Sequence, residues 1–156
     1  MQVKDCMKRN VHTISPTASI RQAAGIFAEK HIGSLPVVDA DGRLVGLLQL
    51  RDLLELVLPD FLKLLDDFDF VPNFGAVEER IPSAEILARP VSEIMQEPVS
   101  VEAESGLLRA FALLRKHQLH DLPVVLKDKE LVGIASRVDL GTAVVGNWSV
   151  TQGGRP

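Results

Sequence analysis

Leu35-Pro36-Val37-Val38-Asp39-Ala40-Asp41-Gly42-Arg43-Leu44-Val45-Gly46 decides the fold, because the chain writes it twice. The second version is Leu122-Pro123-Val124-Val125-Leu126-Lys127-Asp128-Lys129-Glu130-Leu131-Val132-Gly133. Asp52-Leu53 and Asp139-Leu140 follow the two versions at the same distance. Across 16–53 and 103–140 the copies share 11 identities in 38 ungapped positions, at an offset of 87. One such unit cannot bury its apolar surface alone, so two copies predict a single module rather than two free domains. Like units related by a pseudo-twofold axis face each other across clefts, and a ligand site is expected there.

Working outward, each copy has the same grammar. Val11-His12-Thr13-Ile14 is a β-branched run that stops at Ser15-Pro16, as a strand entering a turn would. Ser19 with Gln22 three residues later matches a capping box and predicts a helix start. Ile20, Ala23, Ala24 and Phe27 then follow one helical face, and Leu107, Ala110, Phe111 and Leu114 repeat it. Ile32-Gly33-Ser34 is expected to break the helix before a buried strand, Leu35–Asp39 in one copy and Leu122–Leu126 in the other. Asp41-Gly42 signals a tight hairpin, Leu44–Leu50 the returning strand, and Arg51-Asp52-Leu53 a second helix. The fold class is therefore α/β with mixed sheets, as two β-α-β-β-α repeats. Repeat 1 is set at 1–58, a connection with a short helix at 59–90, repeat 2 at 91–146 and a mobile tail at 147–156. Met7 and Met95 are offset by 88, so the second copy lacks one residue in its first loop.

The bulk properties bound the function. A chain of 156 residues can bury a real core, and 46% apolar with 24% charged residues fits a globular protein. Net charge of −4 argues against a nucleic-acid surface built on bulk charge. Cys6 is the lone cysteine, which excludes an intrachain disulfide. Met1-Gln2-Val3-Lys4-Asp5 has no signal-like apolar run, and no stretch approaches the ~20 apolar residues of a membrane span. A cytoplasmic protein that makes no membrane contact is expected.

The joint pattern of Leu-Pro-Val-Val, hairpin, Leu-Val-Gly and Asp-Leu, present twice, resembles the CBS domain, named after cystathionine β-synthase. The resemblance covers about 3–58 and 91–146. It implies two units packed sheet to sheet into one disc-shaped module. It also implies two clefts that bind adenine nucleotides or S-adenosylmethionine as regulatory ligands, with no cofactor required. In the first cleft the adenine wall would be Val11, His12, Ile32 and Gly33, with Ile134, Ser136, Val138 and Asp139 gripping ribose and phosphate. In the second the wall would be Val99, Ser100, Leu119 and His120, and the grip Leu47, Gln49, Arg51 and Asp52. The chemistry is sensible: a carboxylate accepts well from a ribose diol, and hydroxyl and amide donors at a helix start suit phosphate. Gln49 departs from the hydroxyl that Ser136 supplies, which ranks the Asp139 cleft first. Arg51 and His120 would favour a polyphosphate in the second.

Simpler readings stand beside these. Asp52 and Asp139 each fall in a first helical turn, where an acid is favoured by the macrodipole alone. His117 and His120 lack further ligands in register for a metal. Neither a phosphate loop nor a nucleophile triad is spelled out by spacing, so an enzyme is not expected. The Phe61–Phe68 stripe is read as core cover and Asp66-Asp67-Asp69 as a solvated face. The expected protein is a regulatory module acting on a protein partner, as a homodimer through the helices at Ile20–Phe27 and Leu107–Leu114 or those after Asp52 and Asp139. The rivals are a structural dimerisation module with degenerate clefts, or a regulatory fragment of a larger enzyme or transporter.

Overall fold

The computed structural model describes residues 1–58, 73, 75 and 79–150. A helix α1 (Ile20–Lys30) leads into the hairpin β1 (Ser34–Val38) and β2 (Leu44–Gln49), and a short α2 (Leu50–Leu54) follows. After α3 (Ala84–Ala88) the pattern returns as β3 (Val101–Glu102), α4 (Leu107–Lys116), β4 (Asp121–Val125), β5 (Leu131–Ser136) and α5 (Arg137–Val150). The two hairpins share one register: Leu35 faces Leu48 and Val37 faces Gly46, as Leu122 faces Ala135 and Val124 faces Gly133. The expected Phe61–Phe68 stripe and the Asp66-Asp67-Asp69 cluster lie outside the described residues.

Local chemistry explains the elements. The Ser19 hydroxyl accepts the Gln22 amide at 3.1 Å while the Gln22 side chain accepts the Ser19 amide at 2.8 Å, so the capping box closes as expected. The first hairpin is tied by Asp39, whose side chain accepts the Asp41 and Arg43 amides at 2.9 and 3.0 Å. Gly42 turns the chain there at φ +77°, a conformation that glycine adopts without a Cβ clash. Lys129 holds the same place in the second hairpin at φ +71°.

Four expectations change. Val11–Ile14 is not a strand; its contribution shrinks to one parallel bridge from Ile14 to Val37, because the chain must turn at Ser15. The second copy keeps a true strand, β3, parallel to β4. Gly33 does not break α1: His31, left-handed at φ +51°, ends it one turn beyond Phe27, and Gln118 does the same after α4. Phe111, expected on the core face, is 38% exposed at the edge of the stripe that buries Leu107, Ala110 and Leu114. Finally, α5 runs past Gly146 to Val150, since a glycine inside a helix costs only about 1 kcal/mol.

The packing is reciprocal. Val3, ahead of repeat 1, is fully buried in the cluster of repeat 2 with Leu122, Val124 and Leu140. Val91, ahead of repeat 2, is buried in the cluster of repeat 1 with Phe27, Leu35 and Val37. Each leader adds backbone pairing to the other repeat. Lys8 and Ile134 exchange amides and carbonyls at 2.8 and 2.9 Å, and Gln96 and Leu47 do so at 2.9 and 3.0 Å. On the axis itself Arg43 and Glu130, equivalents of each other, bridge the two hairpin tips.

This exchange explains Gly46 and Gly133. A Cβ on Gly133 would press into the Met7 side chain and come within 2.9 Å of the Lys8 carbonyl oxygen. A Cβ on Gly46 would meet first the side chain of Met95. Gly133→Ala is therefore expected to cost about 1–3 kcal/mol in urea unfolding, because backbone must move. Gly46→Ala should cost less, since a methionine side chain can re-rotate. Equal losses at the two positions would contradict this account.

Candidate functional site

The reciprocal leaders form the rims of two cavities between the repeats. The first has a volume of about 420 Å³, within the usual range for small-molecule sites. It brings together Val11, His12, Ile32, Gly33 and Ile134 from the expected set. Gly33 is held there by its carbonyl, which accepts the Leu50 amide at 3.0 Å. Lys8, Asn10, His31, Ser34 and Asp121 also line it. His31 reaches the cavity from the left-handed position that ends α1.

Ser136 and Asp139 are not among the residues that line this cavity; they are joined to each other, and Asp139 is linked to the lining through Lys8. The Ser136 amide and hydroxyl both donate to Asp139 Oδ2, at 2.8 and 2.7 Å, and the Asp139 amide donates back to Ser136 Oγ at 3.0 Å. The pair thus caps α5, which alone stabilises the helix by about 0.5–2 kcal/mol. Asp139 Oδ1 lies 3.8 Å from the ammonium of Lys8, which lines the cavity. The carboxylate is 16% exposed, so it is screened from bulk water yet reachable. Val138 does not join the lining; its side chain is 69% exposed on the outer side of α5.

The second cavity, about 320 Å³, brings together Leu47, Gln49, Arg51, Val99 and Leu119. Asp52 lies beside it, accepting the Gln49 amide at 2.7 Å and the Gln96 side-chain amide at 3.4 Å. Gln96 lines the cavity, as do Glu97 and His117. His120 is exposed and not in the lining, because its backbone is held by the Arg137 amide at 3.0 Å in the turn before β4. His117, one turn earlier at the end of α4, takes the place. Ser100 lines a different hollow with Arg109 and Lys129. Gln49 is only 5% exposed, so its bulk points into the protein where Ser136 presents a small hydroxyl.

Lys8, His31 and Gln96 were not singled out in the sequence, and His117 was weighed there only as half of a metal pair. The signal for the leader residues was present: Lys8 and Gln96 each follow the methionine of the 88-residue offset. A further hollow of about 230 Å³, lined by Lys4 and Glu104, is below the usual range for small-molecule sites. Among the described residues no cluster of His, Cys, Asp or Glu could hold a metal ion, and no helix is long and apolar enough to cross a membrane.

The CBS domain model matches residues 3–59 and 91–146. A CBS domain-containing protein of Dictyostelium discoideum is 33% identical over 139 residues, covering 88% of this chain and 87% of that protein. An uncharacterized protein of Methanocaldococcus jannaschii is 27% identical over 148 residues, 95% of this chain, yet the chain spans only 41% of its length. The CBS-pair protein CBSX2 of Arabidopsis thaliana superposes with a TM-score of 0.73 at 26% identity, covering 95% of this chain and 96% of that one. A second structure of CBSX2, in complex with AMP, gives 0.69 at 28% identity over 93% of this chain and 96% of that one.

Asp139 also governs Cys6. Burial raises the thiol pKa, and the negative charges of Asp139 and then Asp5 raise it further, since each opposes a thiolate. Asp139→Asn should therefore make Cys6 more acidic. The pH profile of its alkylation is expected to move to lower pH; an unmoved profile would separate the two groups.

Proposed function

The chain belongs to the CBS domain family, and from that premise we propose that it is a regulatory module that binds an adenosine-containing ligand and acts on a protein partner without catalysing a reaction. The observation that supports this is the first cavity, which gathers Val11, His12, Ile32, Gly33 and Ile134, with Lys8 in its lining 3.8 Å from Asp139 Oδ1. There the purine would lie between Val11 and Ile32, and the ribose diol would donate to Asp139 Oδ1. The complex of CBSX2 with AMP supports an adenine nucleotide as the ligand class. The Asp52 cleft is a second, weaker site, because Gln49 replaces the hydroxyl.

A homodimer in the cytoplasm completes the proposal. The faces first expected to pair are partly used up: Ile20, Ala23, Phe27, Leu107, Ala110 and Leu114 are buried within the module. Exposed on α4 and α5 are Leu108 at 77%, Val138 at 69% and Trp148 at 65%, with Phe111 and Val145 beside them in the sequence pattern. Apolar side chains grouped on neighbouring helices are suited to a second copy.

Ligand binding to the folded state alone raises apparent stability, so AMP, ADP, ATP, NAD and S-adenosylmethionine are to be compared by thermal shift. Calorimetry with the best of them should show Asp139→Ala weakening binding about 10- to 150-fold, the equivalent of about 1.5–3 kcal/mol for hydrogen bonds to a charged acceptor. Asp52→Ala should weaken it less. No shift with any ligand would favour a structural module with empty clefts. Light scattering is expected to give twice the 17.1 kDa chain mass.

A further inference from the structure

Aligning the two leaders pairs Lys8 with Gln96, each directly after its methionine and each pairing its backbone with the opposite hairpin. Both side chains then reach the same kind of target. The Lys8 ammonium lies 3.8 Å from Asp139 Oδ1, and the Gln96 amide lies 3.4 Å from Asp52 Oδ1. The pseudo-twofold thus presents two similar carboxylates with different companions, one a cation and the other a neutral donor. We propose that Lys8 makes the Asp139 cleft selective for the anionic, phosphorylated form of an adenosine ligand over the uncharged nucleoside or a cationic sulfonium analogue. This deepens the adenosine-ligand reading of the same cleft and rests on it.

The physical argument is one of charge compensation. In the free protein Lys8 is the counter-ion of a carboxylate that is mostly screened from water. A ribose diol bonded to Oδ1 takes that place and pushes the ammonium aside. An uncharged nucleoside offers the displaced ammonium nothing in return. A 5′-phosphate offers a new anion, and a lysine side chain 65% exposed on a flexible stem can turn to it. The cleft also holds Asp121, which repels a phosphate, and His12 and His31, which can donate to one. Lys8 is the one permanent cation of this lining, so without it the cleft is left with the carboxylates of Asp121 and Asp139 and no permanent positive charge to meet a phosphate. In the other cleft, displacing Gln96 from Asp52 frees no charge, and Arg51 stands opposite Glu97.

The test is calorimetric titration of the full chain with AMP and with adenosine, at low and at moderate salt. Wild type is compared with Lys8→Gln, Lys8→Arg and the exchange double variant Lys8→Gln/Gln96→Lys. Lys8 is anchored by its backbone and its side chain is largely exposed, so these variants should fold. Lys8→Gln is expected to lower the AMP-to-adenosine affinity ratio about tenfold, the size of one charge-assisted contact, and to flatten its salt dependence. Lys8→Arg should keep both, and the double variant should return an anion preference through the Asp52 cleft. If Lys8→Gln weakens AMP and adenosine alike, or neither, the selectivity proposal falls while the adenosine site stands. If wild type binds neither ligand, the adenosine reading falls, and the selectivity with it.

Discussion

Everything else in this module depends on the reciprocal exchange of two short leader segments. Val3 and Val91 give their side chains to the opposite repeat, where each is fully buried, a contribution of about 1.5–3 kcal/mol apiece. Lys8 and Gln96 give their backbones, and the paired amides and carbonyls satisfy groups on β5 and β2 that would otherwise end at a sheet edge. The close approach requires Gly133 and Gly46 beneath Met7 and Met95. The repeats cannot separate without opening both cores. That is why a chain with two small sheets behaves as a single structure.

The same exchange builds the clefts. Each cavity has one wall from a repeat's own loops and a rim from the leader seated on the opposite hairpin. Asp139 and Asp52 owe their positions to helix capping, which is a structural duty shared by both. Capping engages one oxygen, and the other meets a side chain of the leader, Lys8 at Asp139 and Gln96 at Asp52. Structural and binding roles are therefore not alternatives at these residues. The cap orients the carboxylate, and its second oxygen is the one the proposed binding mode uses.

Pseudo-symmetry also makes differences between the halves informative. Ser136 against Gln49, Lys8 against Gln96 and Asp121 against Ser34 stand at matched places in one scaffold. Because the backbone is common, each substitution changes the chemistry of its cleft with little change of shape. The first cleft is the roomier, whereas the second is lined by the buried glutamine Gln49.

Much of this was legible in the sequence, for local reasons. The Ser19–Gln22 cap, the hairpin turns and the strands those turns pair all rest on residues no more than 15 apart in the chain, and these appeared as expected. Val11, His12, Ile32 and Gly33, grouped together in the sequence reading, line one cavity. What only tertiary structure decided was long-range. Whether Val11–Ile14 became a strand depended on how much edge β1 offered it. Whether His117 or His120 met a cleft depended on the rotation of α4 against β4. Lys8 sits about 130 residues from Asp139 in the chain, and no periodicity links them. Their meeting required the leader of one repeat to fold onto the other, which is a property of the packed module and not of either segment.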